Sequence, residues 1–141
     1  MMAITQMREA YRLTGHFQML SYHTRTLEND LNTWLNGNVS IPLMERWIKD
    51  IQNADKGIQV ERMDMMETIA KHDPSVRTCI LPDTIKVADQ LVSASEFKEQ
   101  ELAKASNHLV MAESLLRANL ALLKATQRST SKMEGNAHVQ S

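Results

Sequence analysis

Apolar residues at the start of the chain fall into two rows, each advancing by seven. One row reads Ala10, Phe17, Thr24 and Leu31; the other, three residues further on, reads Leu13, Leu20, Leu27 and Trp34. This spacing puts both rows on one side of an α-helix, with an apolar residue at seven of the eight positions. It predicts a helix over about Ile4 to Leu35 with a coiled-coil-like seam. Gly15 lies inside the pattern and costs up to about 1 kcal/mol relative to Ala, so it either permits a close helix approach or is simply tolerated.

Composition supports helix elsewhere. The 141 residues are 43% hydrophobic but 4% aromatic, with 4 Gly and 3 Pro. So few turn-formers exclude a many-turned β sandwich, and the apolar share excludes wholesale disorder. Asn36-Gly37-Asn38 stops the first helix, because Gly and Asn accept the left-handed conformation that ends helices. Ser40 is placed to cap a second helix, with Pro42 and Glu45 in its first turn. So short a link folds the two helices back antiparallel, and Trp34 and Trp47, on either side of it, are placed to clamp the turn.

The second helix is expected over about Leu43 to Ala70, where Met44, Trp47, Ile48, Ile51, Ala54, Ile58, Met65 and Ile69 keep helical spacing and Gly57 weakens the middle. Met63 and Met66 belong to its methionine-rich face, whose flexible thioethers suit either an irregular core or an adaptable partner surface. His72-Asp73-Pro74 breaks this helix, and Val76 to Leu81 reads as an extended connector pinned by Ile80 and Leu81. Asp83 then caps a third helix over about Thr84 to Gln127. Within it, Ser93-Ala94-Ser95-Glu96 has the form of a capping box, so the third helix is either continuous or broken there. Its later part carries a stripe of Leu102, Ala105, Leu109, Ala112, Leu116, Leu120 and Leu123. The expected fold is all-α: an elongated antiparallel bundle of three long helices, or four with a break near Ser93–Ser95. Residues 1–128 form its single domain, and residues 129–141 form a flexible, disordered tail with little to bury.

The chemistry of the chain excludes more than it selects. Sixteen basic residues balance 17 acidic ones for a net charge of −1, so nucleic-acid binding is a weak expectation. Arg117, Lys124, Arg128 and Lys132 share one face of the last helix and are the best anion contact available, although cations near a helix C-terminus also offset its negative end. The one cysteine, Cys79, permits no intramolecular disulfide. The residues after Met1 lack the basic and apolar regions of a signal peptide, and no transmembrane stretch is visible. A cytoplasmic protein is expected, or a part of a particle or secretion assembly, with no membrane insertion.

Catalytic and metal-binding motifs are absent from the sequence. No Glu has a His three residues later, His-Glu-x-x-His does not occur, and glycines at 15, 37, 57 and 135 cannot form a phosphate loop. His16 and His23 share a helix face without carboxylate partners, Glu61, Asp64 and Glu67 read as a solvated acidic side, and Cys79 lacks a positioned base. No catalytic residue, metal or cofactor is therefore expected. If the third helix is continuous it outreaches the other two, and Leu116, Leu120 and Leu123 then overhang as an apolar end. With Leu109, these residues predict a non-catalytic interaction or assembly protein that self-associates or docks into a larger complex through its C-terminal helix. The alternatives are an adaptor or chaperone that holds a client helix on Met63 and Met66, and an accessory subunit of a nucleic-acid complex.

Overall fold

The computed structural model describes residues 2–37, 39–71 and 82–140. It is an all-α bundle with the order α1 (Met2–Thr14), a single 3-10 turn (Gln18–Leu20), α2 (Ser21–Leu35), α3 (Ile41–Lys71) and α4 (Pro82–Gln140). No strand occurs among the described residues. The connector Val76–Leu81 with its Cys79, and His72, lie outside them, as do the side chains beyond Arg128.

The seam predicted for the first helix survives, but the helix does not. It gives way at Gly15, the weakest helix former in its span. The Gly15 N–H closes on the Tyr11 carbonyl at 2.7 Å and the Phe17 N–H on the Thr14 carbonyl at 3.0 Å. Phe17 is then extended, at φ −109° and ψ 109°. The heptad rows conceal the break because the chain re-enters helix with the same side inward. Ala10, Leu13, Leu20, Thr24, Leu27 and Leu31 are all buried, and Phe17 and Trp34 pack against the core from its edge. Thr24, the polar member of the seam, satisfies its hydroxyl by donating to the Leu20 carbonyl at 3.1 Å. The interruption has an architectural result: α1 packs mainly on α4, whereas α2 packs on α3.

The turn between α2 and α3 forms as its sequence dictates. The Asn36 N–H reaches the Asn32 carbonyl, the Gly37 N–H reaches the Trp34 carbonyl, and Gly37 takes a positive φ of 80°. Ser40 caps α3 by accepting the Leu43 N–H at 3.4 Å. Trp34 and Trp47 meet across the turn with ring centroids 5.0 Å apart, and Trp47 is 0% exposed. Gly57 is a contact point and not a weak spot. A Cβ at this position would lie 2.9 Å from His23 Cδ2 and 3.1 Å from Leu20 Cδ2, so any larger residue would force these side chains to shift.

Polar contacts fix how α3 and α4 run. Glu45 pairs with Lys124, Gln52 with Glu113, Gln59 with Ser106 and Arg62 with Glu99. Numbers rise on one helix as they fall on the other, so the two are antiparallel. α4 does outreach α3, but this alignment takes Leu116, Leu120 and Leu123 out of the overhanging part. Leu116 is 0% exposed and Leu120 and Leu123 pack against the core, because the start of α3, with Glu45 opposite Lys124, lies beside this part of α4.

Of the two alternatives for α4, the continuous helix is the one that forms. The helix continues through Ser93–Ser95, where Ser95 is only 4% exposed and Glu99, one turn on, is tied to Arg62 at 2.8 Å. The helical backbone runs from Pro82 to Gln140. At 59 residues α4 is about 88 Å long, nearly twice the length of α3. The accessible surface of 9534 Å² accordingly exceeds the roughly 7,400 Å² of a compact monomer of this mass, as an elongated bundle requires.

Candidate functional site

One face of α4 is laid out by steps of three and four: Val87, Leu91, Ala94, Lys98, Leu102, Ala105, Leu109, Ala112 and Leu116. From Leu102 to Leu116 its five members are 0% exposed. Towards the N-terminus the same face opens: Leu91 is 48% and Val87 65% exposed, while Phe97, 64% exposed, lies about a quarter-turn or more round the helix from them. The cause is the extent of the helices above. Gln6 of α1 reaches His108, and Leu20 and His23 approach Gly57, so α1 and α2 meet the α3–α4 pair around these levels. The buried residues of α3 run from Met44 to Ile58 and stop there. Beyond that point the described structure is a two-helix arm, residues 59–71 of α3 against about 90–106 of α4, with the first turns of α4, Val87 among them, running on past Lys71. Arg62 and Glu99, 25% and 19% exposed, bridge its base.

The partner residues predicted from sequence divide accordingly. Leu109 and Leu116 are sealed in the core, and Leu120 and Leu123 are half-buried against it, so none of the four offers a free docking stripe. Met63 and Met66 are on the arm and exposed, at 69% and 49%, with Val60 at 59% near its base. The basic face is largely committed within the chain. Arg117 pairs with Glu113 at 3.1 Å and Lys124 with Glu45 at 3.5 Å, while Arg128 is exposed and the Lys132 side chain lies outside the described ones.

His16 and His23 do not share a helix face, because the break at Gly15 falls between α1 and α2. His16 is exposed in the link, and His23 packs edge-on to Tyr22 at 5.5 Å. His23, Tyr22 and Thr26 of α2 face Asp50, Asn53 and Lys56 of α3 across an open groove. Along the same seam lies a group that no sequence motif singles out. Asp30 is 1% exposed, and its Oδ1 accepts from Arg46 Nη2 at 3.3 Å. Burial, and then the neighbouring Asp50 carboxyl, push its pKa up to about 8 against the opposing pull of Arg46.

Glu61, Asp64 and Glu67 form a half-buried to exposed side of α3, with Glu67 paired to Lys71 at 3.5 Å. Among the described residues no group of three or more His, Cys, Asp or Glu is placed to hold a metal ion. Nor is any described helix long and apolar enough to cross a membrane.

Val87, Leu91 and Phe97 were missed by sequence reasoning, although a signal for the first two existed. Extending the Leu102 stripe backwards by steps of four, four, three and four lands on Lys98, Ala94, Leu91 and Val87. Asp30 had a weaker one: it precedes the seam residue Leu31 and stands one turn before Trp34, a poor place for a carboxylate. No known protein family, no curated protein and no solved structure matches the chain.

Proposed function

We propose that this protein is a non-catalytic helical interaction component that self-associates or docks into a larger assembly, and that its docking surface is the α3–α4 arm. What supports this reading is the change along one stripe, from 0% exposure at Leu102 to 48% at Leu91 and 65% at Val87. Scattered exposed apolar residues are ordinary, but here they continue a face whose other half is built to be covered. Fully burying a side chain of this kind is worth about 1.5–3 kcal/mol, so a helix laid on Val87 and Leu91 gains a few kcal/mol before the cost of association.

The test is static light scattering on the full chain, together with affinity capture from its native host. Val87→Asp combined with Leu91→Asp should abolish association and leave thermal unfolding unchanged, since both positions are exposed. A wild-type chain that associates equally well with and without these substitutions would sink the proposal. Leu116→Asp is no substitute, because it unfolds the core. A second reading, an adaptor that holds a client helix, is favoured by the exposed thioethers of Met63 and Met66. It predicts that Met63→Glu weakens client binding while Leu91→Asp does not. An accessory role on nucleic acid has less support, since Arg117 and Lys124 already have acidic partners.

A further inference from the structure

The side chain of Asp30 is 2% exposed, at the face where α2 meets α3. Its two oxygens are treated unequally: Oδ1 accepts from Arg46, and Oδ2 has no donor. Asp50 stands one turn along α3 from Arg46, with its own Oδ2 4.0 Å from Arg46 Nε and its side chain 18% exposed. Two carboxyl groups therefore share a single guanidinium that is itself 56% exposed. As two carboxylates they would repel each other across the seam and leave a buried oxygen unpaired. One proton between them cures both faults, because it turns the repulsion into a hydrogen bond and gives the orphaned oxygen a partner.

We propose that this shared proton is a latch that holds α2 on α3, and that its loss in mildly alkaline solution loosens α2 and the tryptophan pair at its end. The groups acting on Asp30 are Asp50 and Arg46, both on α3. On its own helix, His23 stands two turns away in the groove that Asp50 also lines. Trp34 follows Asp30 by one turn and Trp47 adjoins Arg46, so the Trp34–Trp47 contact, at 5.0 Å, sits next to the latch and reports on it. The direction follows from proton linkage. An aspartate in the unfolded chain loses its proton near 3.8, and Asp30 in the folded chain loses it near 8. Between those values the folded state holds the extra proton, so the stability this group confers falls as pH rises and is lost above the upper value.

The experiment titrates the full chain from acid to alkaline pH, following the carboxyl carbons of labelled aspartate by NMR, tryptophan emission, and amide exchange in residues 21–35. The Asp30 carboxyl is expected to titrate at least about two pH units above an ordinary aspartate. Tryptophan emission should change with the same midpoint, and α2 amides, corrected for intrinsic chemistry, should exchange about tenfold faster above it. Asp30→Asn should abolish the alkaline transition, and Asp50→Asn should move it to lower pH by removing the like charge. The latch is overturned if Asp30 titrates with the other carboxyls, if the tryptophan transition persists in Asp30→Asn, or if Asp30 titrates high while emission and α2 exchange stay unmoved.

Discussion

From Leu102 to Leu116, and from Val87 to Lys98, α4 presents the same spacing on the same side, yet the first stretch is sealed and the second is open. The difference lies in residues far away in the chain. An unbroken helix over residues 4–35 would span about 48 Å, close to the roughly 46 Å of the 31-residue α3, and could run the length of the pair. The break at Gly15 instead gives α1 and α2 different neighbours, α4 and α3. Among the described residues, neither α1 nor α2 covers the stretch of α4 that carries Val87 and Leu91. Whether a stripe is core or interface is thus decided by the reach of its partners, which its own spacing does not encode.

The contrast can be broken most directly by trimming leucines on either side of it. Leu109→Ala should cost about 2–5 kcal/mol in urea denaturation, whereas Leu91→Ala should stay within about 0.5 kcal/mol. Equal losses would mean that the arm is packed as tightly as the bundle. Gly57→Val probes the point where the 3-10 turn and α2 press on α3. A Cβ there would already stand 2.9 Å from His23 and 3.1 Å from Leu20, so overpacking should lower stability by about 1–3 kcal/mol. An unchanged melting temperature would remove that close approach. The smallest effects distinguish ion pairs. Arg62→Ala, at the partly buried base of the arm, should cost about 1 kcal/mol and speed amide exchange in residues 63–71. Arg117→Ala should cost less than about 0.5 kcal/mol, because that pair is solvated.

Much of this architecture was legible in the residues. The Asn36-Gly37 stop, the Ser40 cap, the tryptophan clamp and the buried members of each stripe are local chemistry, set by what neighbouring side chains do to a helix. The break at Gly15 was not legible, because a heptad row reports which side faces inward and is silent about a turn that restores the same side. The exposure of Val87 and Leu91 was hidden for the opposite reason: their pattern matches that of buried residues, and only the three-dimensional end of α1 and α2 distinguishes them. Asp30 needed the structure too, since its chemistry depends on Asp50 and Arg46 arriving from another helix.

Asp55, Ser106 and Gln59 are part of what sets where α4 stops sliding along α3. Ser106 Oγ donates to Asp55 Oδ1 at 2.7 Å, and Gln59 Nε2 donates to Ser106 Oγ at 3.0 Å. Leucine and alanine stripes repeat, so sliding α4 by two helical turns along α3 would bring apolar side chains back against apolar side chains at little loss. The polar trio does not repeat, and the same slide would strand its partly buried oxygens. Replacing all three with apolar residues, together with Gln52→Ala and Arg62→Ala to remove the remaining cross-helix polar contacts of this stretch, should therefore give a chain that populates more than one sliding position, with the ends of the long helix no longer held at a single place.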